Sequence, residues 1–379
     1  MSTRVFIFAG GGTGGHIFPA IAISEQVHDR LGALARSLFV CSDRPLDAQI
    51  LAAEKVDFRP IPAQPFGVHP VRLVRFAASW PKTVNTCRTL IRELRVQGSQ
   101  VHIVALGGFV AAPVAHAARK EQVPITLVNL DAAPGKANRF IARSASRIFT
   151  AADPGEGREN WERIRPIVRK AAIGCNGELN AAQCRHELGL SPQNPVLFVT
   201  GASQGASSIN HFLVEFVKHH GEALRAGRWQ IVHQTGKPRA DSPGEIELLR
   251  HKYTAAGVVN IVEPFFQKMG LLWGAADCAV SRAGAGSVAE AWGNRVPTLF
   301  LPYPYHKDQH QKLNAKTLVD AGACLLADDH ISAPANYATS GPLLLKLLTD
   351  APARATMKTR LVALGPTDGA SIIADWLCA

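Results

Sequence analysis

The sequence predicts an α/β protein made of two Rossmann-like domains, each a doubly wound parallel sheet. Three observations predict it. Short apolar runs alternate with helical patterns in both halves of the chain, and each run ends in a glycine-rich or polar loop. The rhythm lapses over residues 151–192 and restarts at Val196. The length of 379 residues suits two domains of ordinary size, each with its own core. In such sheets ligands bind at the carboxyl ends of the strands, so function is sought in the loops that follow them.

The first of these loops is the richest. Val5 to Phe8 reads as a strand running into Gly10-Gly11-Gly12-Thr13-Gly14-Gly15, and a helix follows with Ile17, Ile21, Ser24, Val27 and Leu31 on one face. The glycines allow a sharp turn and let a ligand approach the main chain. Unpaired N–H groups at the helix start suit a phosphate. Pro19 is placed in the first helical turn, where its missing donor costs nothing. His16, at the mouth of the loop, carries the side chain that ordinarily titrates near neutrality. Gly10, Gly12 and Gly15 also satisfy G-x-G-x-x-G, which fits a nicotinamide site and a sugar-nucleotide site alike.

Ser37 to Cys41 gives a second strand and Asp57 to Ile61 a weaker third, followed by a proline-rich loop (Pro60, Pro62, Pro65 and Pro70). Val71 to Leu94 reads as a helix kinked or divided at Pro81. It mixes Leu73, Val74, Phe76 and Trp80 with Arg72, Arg75 and Lys82. Val101 to Leu106 is a strong strand ending at Gly107-Gly108, with its helix through Val110, Val114 and Ala118. Ile125 to Leu130 and Arg147 to Thr150 are two more strands, around a helix near Lys136 to Ala145. The linker falls near Ile164 to Arg169, giving domains over 1–165 and 166–368. Residues 369–379 form an amphipathic helix that packs back on the first domain.

In the second half Val196 to Thr200 meets Gly201-Ala202-Ser203-Gln204-Gly205-Ala206 and a helix from Ser208. Gln230 to His233 ends at Thr235-Gly236, and Val258 to Val262 ends at Glu263-Pro264-Phe265-Phe266. Cys278 to Ser281 runs into Arg282-Ala283-Gly284-Ala285-Gly286-Ser287-Val288-Ala289-Glu290. Pro297 to Leu301 ends at Pro302-Tyr303-Pro304-Tyr305-His306.

Composition narrows the partners. No run approaches the ~20 apolar residues of a spanning helix. The first strand starts so early that no signal peptide is expected. Seven cysteines without C-x-x-C or metal-ligand spacing read as reduced thiols, and no metal site is expected. The net charge of +11 fits an anionic bilayer surface or simple solubility. Nucleic acid is not expected, since no binding motif accompanies the charge.

The chemistry concentrates in the second half. Small residues from Ala283 to Ser287 let a helix start come close to a ligand, and its N–H groups can hold a diphosphate. Glu290, a turn further on, is placed to accept hydrogen bonds from a ribose diol. Ser203 offers a hydroxyl to phosphate or caps its helix. Gln311 and Asn314, beside His306-Lys307-Asp308, offer amides to sugar hydroxyls or form a solvated helix start.

In this order and spacing, Gly-Gly-Thr-Gly-Gly-His-Ile-Phe-Pro-Ala, Ser-Gln-Gly-Ala, Arg-Ala-Gly-Ala-Gly-Ser-Val-Ala-Glu and His-Lys-Asp-x-x-Gln-x-x-Asn-Ala resemble the MurG family. These are peptidoglycan N-acetylglucosaminyltransferases, two-domain GT-B enzymes that turn lipid I into lipid II. The resemblance spans nearly the whole chain. It implies inverting transfer of GlcNAc from UDP-GlcNAc to the muramyl 4-hydroxyl of an undecaprenyl-diphosphate-linked acceptor, in a cleft between the domains. No metal or other cofactor is implied, and the site of action is the cytoplasmic face of the inner membrane.

By matching position, the resemblance makes His16 the base and places Thr13, Gly14, Gly15, Gly107, Gly108 and Asn138 on the acceptor side. Arg169 and Ser203 would contact the nucleotide, with Phe266 in the uracil region. Ala285, Gly286, Ser287 and Val288 would cradle the diphosphate, helped by arginine in place of magnesium. Glu290 would hold the ribose, and Gln311 with Asn314 the GlcNAc hydroxyls. Leu73, Val74, Phe76 and Trp80, flanked by Arg72, Arg75 and Lys82, would then dip into the bilayer, or the segment is a core-facing helix with an ordinary basic face.

The chain departs from the family pattern at the acceptor side. Val128-Asn129-Leu130-Asp131 stands where His-Glu-Gln-Asn is usual, so Asp131 replaces an Asn near the reacting sugars. The Asn-Pro-Val-Arg linker is Pro166-Ile167-Val168-Arg169. A transferase using UDP-GlcNAc on another lipid is the alternative. A nicotinamide dehydrogenase, with Asp43 on a ribose, leaves the run from Gly284 to Glu290 unexplained.

Overall fold

The computed structural model describes residues 3–379 apart from 12–13, 68, 154, 175–178, 203–204, 238–243 and 306–307. The chain falls into two compact units, 1–169 with 368–379, and 170–367. The first opens with β1 (Arg4–Ala9), α1 (Gly14–Leu31), β2 (Ala35–Ser42) and α2 (Pro45–Ala53). Then come β3 (Phe58–Ile61), α3 (Pro70–Val96), β4 (Gln100–Ala105) and α4 (Gly108–Lys120). β5 (Ile125–Asn129), α5 (Lys136–Ile141), β6 (Arg147–Thr150) and β7 (Glu162–Arg163) complete the sheet. Its order is β3-β2-β1-β4-β5-β6-β7, parallel throughout.

The second unit repeats the plan. It contains α6 (Ala181–Glu187), β8 (Val196–Thr200), α7 (Ser207–Ala226), β9 (Gln230–Gln234) and α8 (Glu245–Ala255). β10 (Asn260–Glu263), α9 (Met269–Ala275), β11 (Cys278–Ser281) and α10 (Ala285–Gly293) follow. β12 (Thr298–Phe300), α11 (His310–Asp320), β13 (Leu325–Leu326), α12 (Ala333–Thr349) and α13 (Ala351–Ala363) end it. The sheet order is β10-β9-β8-β11-β12-β13, again parallel. α14 (Gly369–Cys378) belongs to the first unit and packs on α1. Arg4 donates to the Cys378 carbonyl at 2.8 Å, and Arg30 pairs with Asp375 at 2.7 Å, tying the helix end down.

Both sheets are covered on both faces, which is why their strands are near-continuous apolar runs. Alternate residues of β1 part company: Val5, Ile7 and Ala9 join α3 and α4 in one core, while buried Phe6 and Phe8 point to the other face. In β8, Leu197 and Val199 pack with Ile209, Phe212 and Phe216 of α7. Val196 and Phe198 pack with Trp273 of α9 and Val288 of α10. The strand order reverses between β1 and β4 in one sheet and between β8 and β11 in the other. A crevice opens at such a switch point, and the glycine loops lie there.

Pro81 does not divide its helix, and Pro19 falls later than expected. α3 runs without a break through Pro81. The carbonyl that Pro81 cannot bond belongs to Ala77, which is exposed and open to water. Pro19 sits in the second turn of α1, because the helix already begins at Gly14. Its orphaned carbonyl is that of exposed Gly15. The two-residue strands β7 and β13 and helices α6, α12 and α13 are additions to the sequence reading.

Candidate active site

Ala9 and Ala105 pair at the carboxyl ends of β1 and β4. Beyond them Gly107 and Gly108 take φ of +106° and +74°, values that side chains rarely adopt. The space is equally demanding. A Cβ on Gly107 would lie 2.5 Å from Asn138 Oδ1, and one on Gly108 would lie 3.0 Å from the Gly11 carbonyl and 3.4 Å from His16 Nδ1. On the other side a Cβ on Gly11 would lie 2.6 Å from buried Asp47 Oδ2. The glycines therefore let His16 and Asn138 close onto the backbone.

Asn138 is held by its neighbours. It donates to Asn129 Oδ1 at 2.9 Å, and Asn129 in turn donates to the Asp131 carbonyl at 2.7 Å and Thr150 Oγ1 at 3.1 Å. Buried Asn129, on the acceptor-side departure, is thereby committed to tying the ends of β5, β6 and α5 together. Asn138 Oδ1 and His16 Nδ1 remain buried without a well-formed hydrogen bond. Burial drives the His16 pKa below its ordinary 6.5, while the charges of Asp131 and Asp47 and a backbone interaction with Gly11 oppose the shift. The ring is thus neutral at neutral pH, the form that accepts a proton. Gly14 is buried and Gly15 exposed at the head of α1; Thr13 lies outside the described residues.

At the second switch point Ser281 pairs with Thr200. The first bond of α10 runs from Val288 N to the Gly284 carbonyl, and no side chain caps this terminus. The N–H groups of Ala285, Gly286 and Ser287 precede that bond, as at any uncapped helix start. Gly284 has ordinary extended dihedrals, and a Cβ on either Gly284 or Gly286 would meet nothing within 4 Å. Neither glycine is required by the packing of the chain. By contrast a Cβ on Gly205 would lie 2.3 Å from the Thr235 carbonyl, so that glycine serves internal packing.

The arginine of this motif turns inward. Arg282 Nη1 lies 2.6 Å from Asp329 Oδ2 and 2.8 Å from the Leu301 carbonyl, and Nη2 lies 2.8 Å from Ser208 Oγ. Asp329 also accepts from Ser208, Asn336 and the Ile331 backbone. Burial pushes the Asp329 pKa up, but those bonds and the Arg282 charge hold it below its ordinary 3.8. Arg169 lies in the first unit, paired with Glu54 and with Cζ 4.1 Å from the Phe18 ring centroid. Within the second unit the Arg282 guanidinium is thus taken up by internal partners.

Glu290 Oε2 accepts from Trp273 Nε1 at 2.9 Å. Gln311 Oε1 accepts from the Tyr303 backbone at 2.9 Å, and Asn314 donates to the Ala283 carbonyl at 3.4 Å, so both amides brace the ends of β11 and β12. Half-buried Phe266 donates its N–H to Gln234 Oε1 at 3.2 Å, while Gln234 Nε2 reaches Thr200 and Ala202 at 3.3 Å. Ser203 lies outside the described residues. Trp273, Gln234 and the inward course of Arg282 went unread in the sequence. Their partners lie 17, 32 and 47 residues away, and only the folded chain brings them together.

No side chain of α3 is buried before Thr83. Val71, Leu73 and Val74 are exposed by 52%, 44% and 67%. Phe76 and Trp80, expected to face outward, are half-buried, 5.3 Å apart, in a ring cluster that includes Phe66 and Phe140. Exposed Arg72, Arg75 and Lys82 flank the patch, and Lys136 lies over Phe66 at 4.9 Å.

Residues 6–150 match the glycosyltransferase family 28 N-terminal domain and residues 196–361 the glycosyltransferase family 28 C-terminal domain. A relative from Clavibacter michiganensis is named UDP-N-acetylglucosamine--N-acetylmuramyl-(pentapeptide) pyrophosphoryl-undecaprenol N-acetylglucosamine transferase. It is 32% identical over 376 residues, covering 98% of this chain and 95% of its own. A Paenarthrobacter aurescens protein of the same name is 31% identical over 370 residues, covering 97% and 94%. Among solved structures, Acinetobacter baumannii MurG aligns with a TM-score of 0.69 at 20% identity, covering 99% of both chains. S. aureus MnaA bound to UDP aligns at 0.64 and 11%, covering 99% and 96%. These likenesses give the GT-B fold of paired Rossmann-like domains. The chain belongs to glycosyltransferase family 28.

Proposed function

We propose that the protein transfers GlcNAc from UDP-GlcNAc to the muramyl 4-hydroxyl of undecaprenyl-diphosphate-linked MurNAc-pentapeptide, with inversion. The observation that carries this is the end-to-end match to relatives of that printed activity, 32% identical over 376 residues. The chemistry of the described residues supports it. The acceptor hydroxyl attacks the sugar's anomeric carbon, its proton passes to neutral His16, and the bond to the departing UDP oxygen breaks with its electron pair. The diphosphate charge falls to the N–H groups of Ala285, Gly286 and Ser287 at the head of α10, with Val288 bordering them. With Arg282 committed internally and no Asp-x-Asp motif in the sequence, backbone donors take the role that a metal fills elsewhere.

Glu290 holds the ribose, Phe266 borders the uracil, and Gln311 and Asn314 meet the GlcNAc hydroxyls through what their braced amides still offer. Ser203 remains a proposed phosphate ligand. Arg169 remains a proposed nucleotide ligand; its Nη1 is paired with Glu54 and its Cζ lies over Phe18, while its buried Nε makes no hydrogen bond. Gly14, Gly15, Gly107 and Gly108 bring backbone to the acceptor, with Asp131 and Asn138 beside them. The patch of Val71, Leu73, Val74 and Phe66 with Arg72, Arg75 and Lys82 docks on an anionic bilayer at the cytoplasmic face of the inner membrane. Among the described residues no helix is long and apolar enough to cross it.

A labelled-sugar assay with UDP-GlcNAc tests the reaction, offering lipid I beside polyprenyl phosphate and diacylglycerol, with EDTA present. Transfer to lipid I is expected. Transfer only to another lipid favours the alternative acceptor, for which the replacement at Asp131 speaks. His16→Ala is expected to lower kcat by roughly two to four powers of ten with donor binding kept; lost donor binding instead removes His16 as base. The acid limb of kcat/KM is expected below pH 6.5, since burial must be overcome to protonate the ring. Asp131→Asn, which removes a charge favouring the imidazolium, is expected to move that limb lower still; an upward move contradicts the assignment. Replacing Leu73 and Val74 together by Ser is expected to weaken binding to anionic liposomes about tenfold, from lost apolar burial, with activity on a soluble acceptor unchanged. Unaltered liposome binding returns the patch to ordinary surface.

A further inference from the structure

Trp273 sits on α9 with 1% of its surface exposed, and its indole meets Phe198 of β8 edge to face, centroids 5.0 Å apart. A buried indole N–H needs an acceptor, and here the acceptor is the Glu290 carboxylate at 2.9 Å. A bond to a charged acceptor is stronger and more directional than one between neutral groups. Trp273 cannot swing, because the core of α9, α10 and β8 encloses it. With Oε2 held by this fixed donor, the terminal torsion of Glu290 is set as well. A glutamate one turn into a helix otherwise keeps its rotamer freedom and spends it on binding.

The geometry points to Trp273 as a positioning residue that aims Glu290 at the paired hydroxyls of the nucleotide's ribose, and so sets the preference for ribonucleotide over 2′-deoxyribonucleotide donors. The inference rests on the reading of Glu290 as the ribose ligand. A fixed carboxylate loses a bond when one hydroxyl is missing; a loose one reorients and loses less.

Donor kinetics with UDP-GlcNAc and its 2′-deoxyuridine analogue test it in wild type, Trp273→Phe, Glu290→Gln and the double variant. The wild type is expected to favour the ribonucleotide about tenfold or more, as for a bond to a charged group. Trp273→Phe keeps a ring against Phe198; it is expected to raise the UDP-GlcNAc KM about fivefold, leave kcat within about twofold and shrink the preference. The double variant is expected to match Glu290→Gln alone, the non-additivity of groups acting as a unit. Additive losses, or a full preference in Trp273→Phe beside a lost one in Glu290→Gln, overturn the role of Trp273 while leaving Glu290 its own. A full preference in Glu290→Gln overturns the ribose reading and this inference with it. If Trp273→Phe does not fold, the indole N–H spectrum of the wild type and Glu290→Gln decides. One tryptophan signal must move on Glu290→Gln and respond more to UDP than to deoxy-UDP; a spectrum unchanged by Glu290→Gln overturns the proposal.

Discussion

The buried pair of Arg282 and Asp329 determines how the second unit can treat an anion. The guanidinium donates to a carboxylate, a carbonyl and a hydroxyl, and the carboxylate is bonded in turn by Ser208, Asn336 and a backbone N–H. Removing either partner would strand a buried charge, a loss of about 3–5 kcal/mol. The pair pins the end of β11 to the start of α7, the end of β12 and the loop after β13. Because the folded Asp329 pKa lies below 3.8, its contribution to stability is present above that value and lost as pH falls through the folded one. Arg282 is thereby fixed as scaffold, and in the proposed function the charge of the diphosphate is left to the head of α10.

The glycines divide into two kinds on the same physical test. Gly11, Gly107, Gly108 and Gly205 would each force a Cβ against backbone or a buried side chain. They are needed so that the protein can pack upon itself, and in the first unit that packing encloses His16 Nδ1 and lowers the ring's pKa. Gly284 and Gly286 meet nothing. Gly286, the second residue of α10, has no packing reason to be glycine, which fits the ligand proposed for this helix head.

Much of this was legible in the sequence. The edges of β6, β8 and β11 fall where the apolar runs place them, because a strand buried on both faces leaves an unbroken hydrophobic signature. The glycine loops after β1, β4, β8 and β11 were legible for the same local reason. Pro81 does not divide α3 and Pro19 falls in the second turn of α1, and the carbonyls they leave without a donor belong to exposed Ala77 and Gly15. Phe76 and Trp80 read as an exposed stripe, yet Phe66 and Phe140 close around them from other elements. The direction of Arg282 was invisible, since a basic residue in a phosphate-like motif reads as a ligand until its acid partner, 47 residues on, is seen.

We propose that the head of α10, rather than Arg282, holds the diphosphate. UDP binding by titration calorimetry to Gly286→Ala, with thermal unfolding of the same protein, tests it most directly. Stability is predicted to hold or rise by up to about 1 kcal/mol, because alanine is the better helix former and the site is open. UDP affinity is predicted to fall about tenfold or more as the methyl group displaces phosphate from backbone N–H groups, each such charged bond being worth about 1.5–3 kcal/mol. Unchanged UDP affinity in a protein of unchanged stability would contradict the account.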